Sequence, residues 1–145
     1  MAGEEHLSGP DCLRLLASRS FGRLAYTDRA LPSILPLRYG LVGRQVVLRP
    51  GTDGLAQRLD GQVVAFEVDA VDTDPAEVHG EPDGGHGWIV VVTGFARLAR
   101  DPLELLPHDP GGPPAAPPVP PHVVGIALGV VRGHVRRHAA APAHR

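Results

Sequence analysis

The stretch from Phe21 to Arg49, FGRLAYTDRALPSILPLRYGLVGRQVVLR, constrains the fold more than any other part of the chain. It holds three apolar-rich runs, Phe21–Thr27, Leu31–Tyr39 and Val46–Arg49. Only Asp28-Arg29-Ala30 and the turn around Gly40 and Val42-Gly43-Arg44-Gln45 separate them. Connections this short join antiparallel neighbours, because a parallel crossover needs about a dozen residues or more. The stretch is therefore expected to form a three-stranded antiparallel meander. Pro32 and Pro36 fall inside the middle run, four residues apart and so on one side of it. Proline has no N–H to give to a ladder, which makes the middle strand an edge or the site of a bulge. Either leaves main-chain groups open to a ligand.

The flanking sequence supplies small helices and more strands. Residues 1–7 read as a frayed end, within an N-terminal tail of residues 1–10. Ser8-Gly9-Pro10-Asp11 fits a capping box with proline in the first turn, opening a helix over Cys12–Arg19 with Leu13, Leu16 and Ala17 on one face. After the meander, Thr52 or Asp53 is placed to cap a second short helix, Gly54–Leu59, which buries Leu55, Ala56 and Leu59. Val63–Val68 reads as a fourth strand, apolar enough for burial on both faces. The acidic segment Asp69–Gly87 reads as a loop and Trp88–Leu98 as a fifth strand. Asp101–Leu106 resembles a helix start. Pro107–Pro121 then holds eight of the 16 prolines, which forbids regular structure and implies an extended connection. His122–Val131 reads as a sixth strand and the chain from Arg132 as a solvated tail. The expected organisation is a core over residues 11–106, the proline-rich connection 107–121, a closing strand 122–132 and a polar tail 133–145. Six short strands with two small helices argue for an antiparallel barrel or sandwich.

Composition narrows the function classes. A chain of 145 residues suits one domain. Aromatics make up only 4%, so the core must be built mainly of Leu, Val and Ala. A net charge of −2 gives no general attraction to nucleic acid or to an anionic membrane. The basic tail residues Arg132, Arg136, Arg137 and Arg145 lack interleaved aromatics and read as solvated. A single cysteine, Cys12, excludes an internal disulfide and suits a reducing compartment. With no signal-like start and no apolar run near the ~18 residues a spanning helix needs, a cytoplasmic protein is expected. Cys12 sits among leucines and reads as an inert thiol. His79 and His86 share a loop with Glu81 and Asp83, but the spacing matches no ligand pattern, so no metal site is assigned. His134 and His138 would share one face if helical, and are read as part of the tail. Neither a nucleophile elbow nor a P-loop is present.

One resemblance spans most of the chain. A helix is followed in order by Gly22-Arg23-Leu24-Ala25, Leu31-Pro32, Pro36-Leu37-Arg38-Tyr39, Val46-Val47-Leu48-Arg49, Gly51-Thr52 and a Leu-Ala helix. Then come Val64-Ala65-Phe66-Glu67-Val68-Asp69, Gly87-Trp88 and Thr93-Gly94-Phe95-Ala96-Arg97. This succession resembles the pyridoxamine 5′-phosphate oxidase-like family, and within it the small flavin-nucleotide-binding members. The resemblance implies a mainly β protein, a six-stranded antiparallel split β-barrel of the FMN-binding type. It further implies a homodimer with FMN at the subunit interface and an oxidoreductase-like function. F420 or haem occupies the same groove in some relatives. A relative that has lost the phosphate site would keep the barrel as a non-catalytic binding module. Carried over residue by residue, Pro36, Leu37, Arg38 and Tyr39 line the flavin ring with their main chain. Leu48 and Arg49 lie beside the ring and ribityl phosphate, Thr52 lies in the phosphate loop with Arg58 reaching back toward it, and Trp88 approaches from the facing side. The chain departs from the family pattern at Pro50, where relatives have threonine, and at Asp53, where a lysine is common. Both changes weaken an FMN phosphate site.

Overall fold

The computed structural model describes residues 4–51, 54–71, 86–99 and 123–137. Thr52, Asp53, the Asp101–Leu106 helix start, the proline-rich connection, His79 and His138 lie outside the described residues.

Helix α1 (Gly9–Ala17) starts as its sequence dictates. Ser8 Oγ accepts the Asp11 N–H at 3.2 Å, and proline occupies the first turn. The Asp11 carboxylate, however, pairs forward with Arg14 at 2.8 Å, so only half of the capping box forms. The helix buries Cys12 and Leu16, one turn apart, with Leu13 and Leu15 packed beside them, and leaves Ala17 exposed. It docks where β8 (Val130–Arg137) carries Gly133: a Cβ there would stand 2.5 Å from the Cys12 sulfur.

The meander forms as expected. Strands β2 (Phe21–Asp28) and β3 (Leu31–Val42) pair from Phe21↔Arg38 to Asp28↔Leu31. Arg29 and Ala30 close the hairpin, both at positive φ. The second half of β3 pairs with β4 (Gln45–Leu48). Helix α2 (Leu55–Leu59) is shorter than expected. Its N-cap residue is Gly54 in a left-handed conformation; the expected caps Thr52 and Asp53 lie outside the described residues.

Strand β5 (Val63–Val71) runs past Val68, and β6 begins at His86 (His86–Leu98), so the acidic loop is shorter than the sequence suggests. β5 is also not buried on both faces. Val64, Phe66 and Val68 point into the barrel, while Val63 is 59% exposed. Alternation governs here because only the inner face of the sheet is covered.

The expected sixth strand is two. β7 (Val124–Ala127) pairs with β4 and with the end of β6, Ala96–Leu98. After Leu128-Gly129, β8 pairs with the first part of β6, from His86 to Thr93. The split falls at Gly94: a Cβ there would collide with the Ala127 carbonyl oxygen. Six strands in the order β6-β5-β2-β3-β4-β7 thus close an antiparallel barrel. β8 extends the sheet beyond β6, and β1 (Glu4–His6) pairs with β8 at its edge. The frayed start and the solvated tail of the sequence reading are therefore both corrected in part. Val131, Gly133 and Val135 alternate with Arg132, His134 and Arg136, a period of two that marks a one-sided strand. Phe66, Leu24, Val68, Val90 and Val92 fill the barrel.

Candidate functional site

Hairpin register decides which main-chain groups of β3 are committed. Tyr39 donates its N–H to the Ser20 carbonyl at 3.0 Å, and the pairing continues unbroken to the turn. Antiparallel pairs alternate between those that exchange hydrogen bonds and those that do not. Leu31, Ser33, Leu35, Leu37 and Tyr39 therefore direct their main-chain groups at β2. Pro32, Ile34, Pro36 and Arg38 direct theirs to the opposite edge. Among the described residues no strand pairs with that edge before β4 takes over at Tyr39. Both prolines fall on this edge, where a missing N–H leaves no gap in a ladder. The edge presents four carbonyls, but N–H groups only from Ile34 and Arg38.

The predicted ring-lining residues divide accordingly. Pro36 and Arg38 are exposed and present main-chain groups outward. Leu37 packs partly buried against the core. Tyr39 is a core residue by its side chain, 8% exposed. Its hydroxyl donates to the Leu16 carbonyl and its ring meets Phe66 edge-on at 5.0 Å. Burial pushes the phenol up to about 12, so it remains a neutral donor. Leu48 is 1% exposed and also faces the core. Tyr39 pairs with Leu48, and one step beyond that pair on the two strands stand Arg38 and Arg49, both exposed. Two exposed cations thus stand on neighbouring strands, Arg38 within β3 and Arg49 just past the end of β4.

Arg58 donates to Asp28 through Nε at 3.1 Å and Nη2 at 3.4 Å. Its Nη1 would lie 3.5 Å from a Cβ on Gly54, so the guanidinium reaches back to the start of α2 while anchored to the hairpin turn.

Beside Arg38 across β2 lies an open polar groove of about 540 Å³, lined by Arg19, Ser20, Phe21, Arg23 and Asp69 among others. Arg23 grips Glu67 with both arms, Nε at 2.7 Å and Nη2 at 3.0 Å, and Nη2 also meets Asp69. Glu67 first, and Asp69 after it, raise the Arg23 pKa further above its already high ordinary value. This arginine is matched within the chain, unlike Arg38 and Arg49, for which no ion pair is seen among the described residues. Trp88 is half-buried against the core, and the Arg19 guanidinium lies 5.9 Å from its ring centre. The Arg19–Trp88 and Arg23–Glu67 pairs were invisible in the sequence, because both join residues far apart along the chain. Among the described residues, no three metal-ligating side chains come together.

Comparison with known proteins agrees with this architecture. The family model for pyridoxamine 5′-phosphate oxidase matches residues 8–109. An uncharacterized protein of Mycobacterium tuberculosis, Rv0080, is 36% identical over 105 residues. That match takes in 68% of this chain but only 63% of the relative's length. The structure of the FAD binding protein from Mycobacterium smegmatis is similar over 92% of this chain and 98% of its own, with a TM-score of 0.65 at 24% identity. A FAD and heme binding protein from the same organism covers 98% of this chain over 76% of its own, at a TM-score of 0.65 and 15% identity. At those identities the two structures speak for the fold. The family match, laid over a barrel with an open β3 edge, leads to one conclusion: this chain belongs to the pyridoxamine 5′-phosphate oxidase family.

Proposed function

We propose that the protein binds a flavin nucleotide, FMN in the first instance, along the open edge of β3. The observation that carries the proposal is the run of main-chain groups from Pro32 to Arg38, ending in the exposed Arg38 and Arg49. Such an edge suits the polar rim of a planar heterocycle, and the two guanidinium groups suit its phosphate. All 14 cationic side chains of this protein are arginines, so no lysine is available for the phosphate. Arginine compensates through bidentate geometry, which lysine lacks. Pro36 and Arg38 orient the ring through main-chain groups. Leu37 and Tyr39 hold the strand rigid from inside. A bound flavin supplies hydride or electron transfer, which makes an oxidoreductase-like role the natural reading.

Haem fits this wall less well than flavin. Its iron takes histidine, cysteine, methionine or tyrosine ligands. Along Pro36–Arg49 the one such side chain is Tyr39, whose hydroxyl is committed to Leu16.

The proposal includes a second copy of the chain. Ile34, Ala25, Ala65, Thr93 and Val130 form one row across the outer face of the sheet, with Val63 and Phe95 beside it. Ile34 is 70% exposed. This row is apolar apart from Thr93 and crosses five strands, which supports a surface that a second copy of the chain would cover.

Fluorescence titration with FMN and with lumiflavin, which lacks the phosphate, tests the site. FMN is expected to bind more tightly than lumiflavin. Arg49→Ala and Arg38→Ala should each weaken FMN about tenfold, roughly 1.4 kcal/mol, and leave lumiflavin unchanged. Equal loss for both ligands, or no FMN binding by the parent protein, would overturn the assignment.

A further inference from the structure

We infer that His6 and His134 form a two-imidazole site for a borderline divalent transition ion such as Zn²⁺, pinning strand β1 to the barrel. The two residues face each other directly across the β1–β8 ladder. Leu7 donates its N–H to the Gly133 carbonyl at 2.9 Å. That bond makes Leu7–Gly133 a hydrogen-bonded pair, so His6–His134, one step along, is a non-hydrogen-bonded pair. Side chains approach most closely at such positions.

The ring geometry fits a shared ion. The ring centres are 4.8 Å apart, with planes inclined at 60°. A metal–nitrogen bond of about 2.0–2.1 Å puts each ring centre ~3.2 Å from the ion, so two imidazoles at 90–110° about it have centres ~4.5–5.2 Å apart. His134 also carries the one buried side-chain nitrogen among the described residues, Nδ1, that lacks a hydrogen-bond partner. A buried polar atom without a partner is destabilising, and a metal bond would satisfy it. His6 is exposed and gives the ion a route from solvent. Imidazole suits Zn²⁺, Ni²⁺ and Cu²⁺ and disfavours Mg²⁺ and Ca²⁺. With two protein ligands, the remaining positions are open to water or to an incoming ligand.

The consequence is structural. β1 is a three-residue edge strand, too short to be held firmly by its ladder alone. An ion bridging it to β8 ties the start of the chain to the strand that carries Gly133, on which α1 docks.

The test is a zinc titration of the full, untagged chain near pH 7.5, above the ordinary imidazole range. Two residue-specific signals are read: the imidazole resonances of His6 and His134, and hydrogen exchange of the Leu7 amide. Both sets of resonances are expected to move together with one-to-one stoichiometry. Leu7 exchange should slow about 100-fold at free zinc a hundred times the dissociation constant. Cu²⁺ should bind more tightly than Zn²⁺, and Mg²⁺ should leave both signals unchanged. His6→Gln, on an exposed edge, should abolish both responses and leave the barrel folded; His134→Gln should do the same where it folds. Zinc that leaves the His6 and His134 resonances unmoved, or an unchanged Leu7 response in His6→Gln, refutes the site.

Discussion

Tyr39 shows how one residue ties the helix to the barrel. Its hydroxyl satisfies the Leu16 carbonyl near the end of α1 while its ring packs on Phe66 inside the sheet. Burial raises the Tyr39 phenol to about 12 in the folded state, above the ordinary tyrosine value of about 10. The folded protein therefore binds this proton more tightly than the unfolded chain does. The associated stability is fully present below pH 10 and is lost as the pH rises toward 12, by up to about 2.7 kcal/mol. Urea unfolding across that range should show the decline in the parent protein and a flatter profile in Tyr39→Phe. The variant should also be about 1 kcal/mol less stable at neutral pH, because the Leu16 carbonyl keeps only the long 3.5 Å bond from the Arg19 N–H. The sequence carried a signal for this inward position: Leu35, Leu37, Tyr39 and Leu41 alternate along β3. The assignment of Tyr39 and Leu48 to a cofactor wall came from resemblance, which transfers main-chain position and says nothing of side-chain direction. The side chains of Arg38 and Arg49 are exposed.

At the scale of elements, β3 and β6 are the two long strands, and each has an edge that no single partner fills: β4 covers only the far end of the β3 edge away from β2, and β8 and β7 share one edge of β6. For β3 the prolines made this legible. Pro32 and Pro36 forecast an edge, and the register puts both on the side without a partner strand. Replacing both with valine should leave stability within about 1 kcal/mol but add donors to an exposed edge. The double variant is expected to self-associate at concentrations where the parent does not, and light scattering checks this. For β6 the switch from β8 to β7 occurs at Gly94, where there is no room for a side chain against the Ala127 carbonyl. Gly94→Ala should destabilise by about 3 kcal/mol or more, measured by chemical denaturation, because backbone on both sides must move. Position 94 was read in the sequence only as part of a strand, since nothing local shows which strand will pass close by. β1 and β8 were missed for another reason. The runs Glu4-Glu5-His6 and Arg132-Gly133-His134-Val135-Arg136-Arg137 are polar overall, and that polarity masked the alternation of Val131, Gly133 and Val135.

Across the whole molecule, the barrel buries an aliphatic core around Phe66, in line with the scarcity of aromatics. It leaves the outer row led by Ile34 uncovered. The antiparallel barrel and its meander were readable from short turns and apolar runs. Closure was not, because it depends on β7 meeting both β4 and β6 after the long proline-rich connection. No helix among the described residues is long and apolar enough to cross a membrane. If a second copy covers the outer row, sedimentation should report twice the 15.3 kDa chain mass. Ile34→Glu should convert it to a folded monomer, since a charge there opposes pairing without entering the core. A parent protein that sediments as a monomer at all concentrations contradicts the dimer. The flavin assignment is tested most directly by a crystal structure of the protein soaked with FMN. The account predicts isoalloxazine density along the β3 edge between Pro36 and Arg38, with the phosphate at Arg38 and Arg49. Density for the ring at any other place on the barrel, or an empty β3 edge at saturating FMN, would contradict it.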